Sequence, residues 1–544
     1  MEAFGGEAQS SLQLRLVTRA LEAAAGDKSI KGLYLTGSLR PVGYGSGYAA
    51  LKEVREALAD FRASGKPITA YLNFAEPRDY YLASAATEVV LDPYGAIELP
   101  GLASQPMFFA GAFEKFGVGV QVTRVGKYKS AVEPYTRKDM SPENREQIQK
   151  LIDDLWQDLT VTVEDARKLP AGALQKVVDA KGFIRAEVAR QARLVDRVAY
   201  LDEVLADLKA ATGRKDSDLP FKQINLKAYA KLVGRAGPPT RSVGPEKIEI
   251  SVSSRGKVAI VYAEGEIVDG SGREEGLVYG AKTARMLREI REDDSIKAVV
   301  LRVNSPGGSV TASEQIAREV TLIQKTRPVI VSMGTLAASG GYWISAPGEH
   351  IFAEPTTITG SIGVFGLFIN LQGLLNDKLG LTFDMVKTGK FADASTITRP
   401  KTPEELALFQ DSVDWVYDQF VSKVAASRKL DRSVVEEIAQ GRVWSGSEAV
   451  KLGLVDEIGG LEAAIRYAAG KAKLGDNFKV AEYPRGRRFA ESFTDALEGR
   501  HHDESFGGVV GVMVRQTTAQ LKAINQLNDP QGLYARLPFD LSLR

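Results

Sequence analysis

The sequence predicts an α/β protein in which one domain is written twice. Two patterns carry that prediction. Runs of β-branched residues alternate with stretches of helical periodicity, and five segments of the first half recur in the second, in one order, at offsets of 259 to 266 residues. Composition agrees: 544 residues, 44% apolar and 26% charged, are a globular balance long enough for several domains.

The repeat is explicit in the residues. Asp27-Lys-Ser-Ile-Lys-Gly-Leu-Tyr-Leu35 matches Asp293-Asp-Ser-Ile-Lys-Ala-Val-Val-Leu301, and Tyr80-Tyr-Leu-Ala-Ser-Ala85 matches Tyr342-Trp-Ile-Ser-Ala-Pro347. Asp92-Pro93 answers Glu354-Pro355, Val125-Gly-Lys-Tyr128 answers Thr388-Gly-Lys-Phe391, Trp156 answers Trp415, and Leu194-Val-Asp196 answers Leu454-Val-Asp456. The first repeat is expected over 1–236. It has no counterpart of the strand at Val258–Tyr262, so its start is read as trimmed. Gly237-Pro-Pro-Thr-Arg-Ser-Val-Gly-Pro245 opens a linker over 237–256, its Pro and Gly content stopping helix and strand alike.

The second repeat spans 257–474. Val258–Tyr262, Ala298–Val303 and Pro328–Ser332 read as buried strands, with helices over Thr283–Arg291 and Ala312–Gln324 between them. The order β-α-β-α-β implies parallel pairing through right-handed crossovers. An extension follows over 475–544, and its Arg485-Gly-Arg-Arg488 cluster reads as solvated surface rather than a lipid-binding patch.

Composition closes several functions. Lys plus Arg number 70 against 69 for Asp plus Glu, a net charge of +1, so nucleic acid is not an expected partner. Without Cys there is no thiolate metal site and no Cys nucleophile, and three His, His350, His501 and His502, leave little for a metal or a Ser-His-Asp triad. No metal or cofactor is expected. Met1-Glu2-Ala3-Phe4 opens no signal peptide, and no run approaches the roughly 18 apolar residues of a membrane span.

Three small-residue segments stand where strands end. Asn304-Ser-Pro-Gly-Gly-Ser309 opens a helix, and Gly307 and Gly308 leave N–H groups free to bind an oxyanion. A Pro-Gly turn feeding a helix is the plainer reading. Ala337-Ala-Ser-Gly-Gly-Tyr342 exposes the Ser339 hydroxyl to close approach, or serves tight helix–sheet packing. Ser361, in Thr359-Gly-Ser-Ile-Gly-Val-Phe-Gly366, has a loop as its alternative. A nucleophilic serine needs a base. His350 has no acidic partner evident in sequence, which leaves a lysine held neutral by burial or nearby positive charge.

The repeat points to one. Ser339 aligns with Pro77, and Lys129 aligns with Ala392, so each half keeps what the other lacks. Either two unrelated surface residues were lost, or the halves build one composite site. Lys127, the neighbouring rival, has a counterpart in Lys390 and reads as structural.

Tyr128-Lys-Ser-Ala-Val-Glu-Pro134, Val303-Asn-Ser-Pro-Gly-Gly-Ser-Val-Thr-Ala-Ser313, Ala337-Ala-Ser-Gly-Gly-Tyr-Trp-Ile-Ser345 and Thr359-Gly-Ser-Ile-Gly363 closely resemble the long form of the signal peptide peptidase A (protease IV) family, over about residues 15 to 470. The resemblance implies a tandem duplication of a Clp protease/crotonase-like domain. It implies Ser339 as nucleophile, Lys129 as general base, Ser361 holding the lysine, and an oxyanion hole from Gly340 with Gly308 or its neighbour Gly307. It further implies signal peptides and other apolar peptides as substrates, a homotetramer, and an N-terminal membrane anchor that this chain lacks. The implied location is the bacterial inner membrane facing the periplasm, or the thylakoid. An acyl-CoA enzyme of crotonase type and a non-catalytic oligomeric scaffold are the competing expectations.

Overall fold

The computed structural model describes residues 13–39, 46–214, 219–236, 256–272, 274, 276–475, 478–484 and 527–537. They pack as two compact units. One holds the described residues of Met1–Ala103 and Ile152–Val252, the other those of Ser104–Leu151 and Ser253–Arg544.

The first unit is built on three parallel strands, Leu33–Leu35, Ile68–Ala75 and Glu88–Glu98. Phe183–Arg185 lies antiparallel to the last of these and Arg197–Val198 parallel to it. Helices Tyr48–Ala63 and Pro77–Ala83 make the crossovers. The second begins at Pro77, whose missing N–H costs nothing at a first helical position, and the Asp79 carboxylate accepts the Glu76 N–H at 3.2 Å to close a capping box. Leu58, Phe61, Ile68, Tyr80 and Leu91 fill the core.

The second unit has two sheets. The larger runs Val443–Ser445, Ile358–Gly360, Val329–Ala338, Ile296–Ser305, Lys257–Glu264 and Lys479–Tyr483, with His350–Ala353 and Glu457–Ile458 joined to it. Its central strands are apolar on both faces, as parallel strands covered on both sides must be. Val299 and Leu301 face a core shared with helices Gly280–Glu292 and Val310–Gln324, while Val300, Ile260 and Ile330 pack on helix Leu461–Lys471. The smaller sheet runs Gly119–Val125, Val364–Asn370, Leu533–Arg536, Gly307–Ser309, Glu266–Val268 and Leu277–Tyr279.

The duplication is written in hydrogen bonds as well as letters. Tyr80 donates its hydroxyl to the Leu194 carbonyl at 2.7 Å, and Tyr342 donates to Leu454 at 2.9 Å. Asp196 accepts the Val89 N–H and pairs with Arg167; Asp456 accepts the Ile351 N–H and pairs with Arg428. Asp27 accepts both the N–H and the hydroxyl of Ser29, as Asp293 does from Ser295. These matched bonds hold the same corners in both units.

Packing and repeat nevertheless divide the chain differently. Residues 104–151 belong by sequence to the first repeat, yet they lie in the second compact unit. Two pieces of the extension expected over 475–544 are strands of that unit, Lys479–Tyr483 on the large sheet and Leu533–Arg536 inside the small one. All of the expected linker over 237–256 except Gly256, together with Arg485–Arg488, His501 and His502, lies outside the described residues. Among the described residues no helix is long and apolar enough to cross a membrane.

Candidate active site

Ser339 ends strand Val329–Ala338 and begins helix Gly340–Ser345. Its φ is +57°, a conformation a residue with a side chain rarely adopts, and one held only where surroundings over-determine it. Those constraints are present. The Ser339 N–H donates to the Gly360 carbonyl at 2.8 Å, and its own carbonyl accepts the Trp343 N–H at 2.8 Å. Ser361 arrives by register: Ala338 stands opposite Gly360 in parallel strands, so the residue after each falls at the same level. Ser361 also has a positive φ, +50°, and donates its N–H to the Arg442 carbonyl at 2.7 Å.

Lys129 comes from the segment contributed by the first repeat. Strand Gly119–Val125 runs antiparallel to Val364–Asn370, with Val125 opposite Val364, and so delivers the following loop to the Ser361 end of that strand. The Tyr128 N–H donates to the Gln440 carbonyl at 3.0 Å. Gly441, at φ +79°, and Gly363 make the lysine's room: a Cβ on Gly441 would stand 2.6 Å from the Lys129 nitrogen, and one on Gly363 3.2 Å from its Cδ. Beneath the loop lies a buried polar network. Glu133 accepts from the Ser141 hydroxyl at 2.5 Å and from Asn144 Nδ2 at 3.0 Å, Ser130 donates to Asn144 Oδ1 at 2.8 Å, and Gln147 Nε2 donates to the Tyr128 carbonyl at 3.0 Å.

These supports bring Lys129 Nζ to 2.7 Å from Ser339 Oγ, 3.0 Å from Ser361 Oγ and 3.1 Å from the Ser361 carbonyl oxygen. All three residues are wholly buried. Burial holds the Lys129 amine well below the ordinary lysine range, because a desolvated ammonium is disfavoured against the neutral amine.

The glycines flank this cluster. Gly307 and Gly308 have φ of +94° and +150°, and Gly307 spends its N–H on the Ser305 hydroxyl at 3.2 Å. A Cβ on Gly307 would lie 2.5 Å from the Gly340 nitrogen, so Gly340 borders the same spot.

The other candidates are employed elsewhere. His350 meets Glu457 at 3.2 Å and stacks on Tyr467 at 4.2 Å, neither of which belongs to the Ser339 cluster. Lys127 is exposed, its ammonium 5.1 Å from the Tyr128 ring, just as Lys390 lies 5.5 Å from Phe391. Sequence reasoning missed Gly363, Gly441, Asn144 and Gln147. Glu133, Ser130 and Gly363 stood inside recognised motifs; Gly441, Asn144 and Gln147 carried no local signal.

A Clp-type α/β unit with a serine at a strand-to-helix turn and a buried lysine within hydrogen-bond reach of it has the parts of a serine hydrolase. Comparison with known proteins narrows it. The model of Peptidase family S49 matches residues 60–215 and 321–475, once in each repeat, and that of Clp protease matches 279–358. Protease 4 of Salmonella typhi is 36% identical over 95% of this chain and 82% of its own length. Protease 4 of Haemophilus influenzae is 33% identical over 95% and 84%, and the chloroplastic serine protease SPPA of Arabidopsis thaliana 34% over 97% and 74%. The chain belongs to Peptidase family S49. It is a serine protease with a duplicated Clp-like domain, so the acyl-CoA and scaffold expectations give way and peptides are its substrates.

Proposed function

We propose that the chain is an endopeptidase in which Ser339 is the nucleophile and Lys129 the general base. The observation that carries this reading is the 2.7 Å contact between Lys129 Nζ and Ser339 Oγ, both side chains wholly buried. A neutral amine has two N–H groups and one lone pair. The two donate to the Ser361 hydroxyl and carbonyl, leaving the lone pair to accept the Ser339 proton. Ser361 thereby holds the lysine in position.

The Ser339 oxygen attacks the scissile carbonyl as Lys129 takes its proton. The N–H groups of Gly308 and Gly340 bind the developing oxyanion. Gly308 is preferred over Gly307 because Gly307 already donates to Ser305. Protonated Lys129 then gives its proton to the leaving amine, and water hydrolyses the acyl-enzyme.

The substrates are cleaved signal peptides and other apolar peptides at a membrane, which accords with the small residues around Ser339. The working form is a homotetramer tethered by an N-terminal anchor, at the bacterial inner membrane facing the periplasm or at the thylakoid. Support for assembly comes from an exposed apolar run, Phe383, Met385 and Val386, the last 96% exposed. Only Lys387 separates it from Thr388–Phe391, the counterpart of the Val125–Tyr128 stretch that leads to Lys129.

The test is hydrolysis of a fluorogenic peptide with an apolar core. Ser339→Ala abolishes it, and Lys129→Ala lowers kcat by roughly 10²- to 10⁴-fold, the range of a general base, with both variants folded by circular dichroism. Full activity in Lys129→Ala refutes the assignment of the base.

A further inference from the structure

The register of the two repeats singles out a side chain that the fold does not need. Val443–Ser445 pairs antiparallel with Ile358–Gly360, Val443 opposite Gly360, and Phe183–Arg185 pairs in the same way with Glu88–Glu98, Phe183 opposite Glu98. The residue before each short strand does the same backbone work. The Arg442 carbonyl accepts the Ser361 N–H at 2.7 Å, and the Gly182 carbonyl accepts the Leu99 N–H at 2.8 Å. Glycine suffices for that corner, so the arginine side chain is surplus to it.

The side chain is nevertheless fully engaged. Its guanidinium carbon lies 4.7 Å from the Tyr128 ring centroid and 4.6 Å from that of Trp444, within cation–π range of both. Arg442 Nη1 donates to the Tyr128 hydroxyl at 3.1 Å, and Nη2 pairs with Glu146 at 3.0 Å. The Tyr128 hydroxyl in turn donates to Glu146 at 3.3 Å. Trp444 is fixed as well: its indole N–H donates to the Ile438 carbonyl at 3.0 Å, and a Cβ on Gly360 would stand 2.8 Å from its Cδ1. Gly360 is the residue whose carbonyl holds the Ser339 N–H, and Tyr128 is the residue before Lys129. The guanidinium thus joins the serine side of the site to the lysine side.

The members of this strut divide between the repeats as Ser339 and Lys129 do. Tyr128 and Glu146 come from the first, Arg442 and Trp444 from the second. Their counterparts cannot rebuild it. Phe391 lacks the hydroxyl of Tyr128, and Ala407 holds the fifth position of helix Pro403–Arg428 that Glu146 holds in helix Pro142–Arg167. Gly182 and Ile184 stand where Arg442 and Trp444 do.

We propose that Arg442 is a positioning residue: held over Tyr128 and Trp444, it sets the Lys129 amine at its working distance from Ser339. The inference rests on the Ser–Lys reading above. Without the guanidinium the loop keeps the Tyr128 N–H bond to Gln440 and the Gln147 bond beneath it, so Lys129 is shifted rather than released.

The experiment measures kcat, KM and the pH dependence of kcat/KM for the fluorogenic apolar peptide. The set is wild type, Arg442→Met, Tyr128→Leu, the double variant, Lys129→Met and Arg428→Met, each checked for folding by circular dichroism. Arg442→Met and Tyr128→Leu should each lower kcat roughly 10- to 10²-fold, the cost of a misplacement on the order of 1 Å, while KM stays within about twofold. The acid limb of kcat/KM should move to higher pH, because an amine drawn from its buried seat regains a stable ammonium. The double variant should be no slower than the slower single one, since both break the same contact. Arg428→Met, which removes the matched structural pair with Asp456, should lower the melting temperature and leave the acid limb in place. Arg442→Lys keeps the charge without the planar group that lies over two rings, and it is read in the same way if Arg442→Met does not fold. Wild-type kcat and acid limb in the Arg442 variant, beside an inactive Lys129→Met, overturn the strut and leave the Ser–Lys reading standing. Losses that multiply in the double variant also overturn it. A Lys129→Met that hydrolyses like wild type overturns both.

Discussion

Lys129 is buried against two hydroxyls and a carbonyl, none of them anionic, and it reaches them with its charge suppressed. A free lysine has a pKa of about 10.4; the folded chain lowers it. Between the two values the unfolded chain binds the extra proton, so stability falls as pH falls through that window and levels off once Lys129 is protonated in the fold. Lys129→Met removes the titrating group. It should unfold at a higher temperature than wild type at neutral pH, by about 1.4 kcal/mol for each tenfold by which burial strengthens the ammonium as an acid, while losing peptide hydrolysis. Thermal melts across pH check this, since the gap should close above the unfolded lysine's pKa. A variant less stable at neutral pH would show that the amine's bonds outweigh its desolvation. In the wild type, kcat/KM should decline on the acid side as Lys129 protonates and cannot accept from Ser339.

The loop that carries Lys129 depends on groups that never touch it. Glu133 is 1% exposed and binds Ser141 and Asn144, whose network continues through Ser130 and Gln147 to the Tyr128 carbonyl. Glu133→Ala leaves those donors buried without an acceptor, a loss of about 1–3 kcal/mol. It should lower kcat more than it raises KM, because Lys129 is displaced while the groove is not. Gly441→Ala meets both a positive φ and the Lys129 backbone, and strain of about 1–3 kcal/mol is expected to appear as a lower melting temperature and slower hydrolysis. Sequence could show the lysine and not this scaffold, for a physical reason. Lys129 was legible because its partner repeat holds Ala392, just as Ser339 was legible against Pro77. The central strands were legible because burial on both faces demands unbroken apolar runs. Gly441 works through a contact with a residue far away in the chain, and the four residues of Leu533–Arg536 carry no periodicity of their own.

At the scale of the molecule, duplication and packing record different histories. The repeats read as two copies of one domain, and the matched Tyr80 and Tyr342 bonds agree. Yet the second compact unit includes residues 104–151 of the first copy, and with them Lys129. A chain cut at the repeat boundary, beginning at Ser253, therefore loses more than a domain. Its Val364–Asn370 strand, Val-Phe-Gly-Leu-Phe-Ile-Asn, is stripped of the partner that pairs with all seven of its residues. An apolar edge of that length is a template for pairing between chains. The fragment 253–544 should aggregate, and it should hydrolyse no peptide, having Ser339 without Lys129. Co-expression with fragment 1–252 supplies strand Gly119–Val125 and Lys129 together, so solubility and hydrolysis should return in the same samples. Size-exclusion chromatography and the fluorogenic assay read the two. A fragment 253–544 that is monodisperse and active alone would mean that the second repeat is self-sufficient and that the contribution of 104–151 is dispensable.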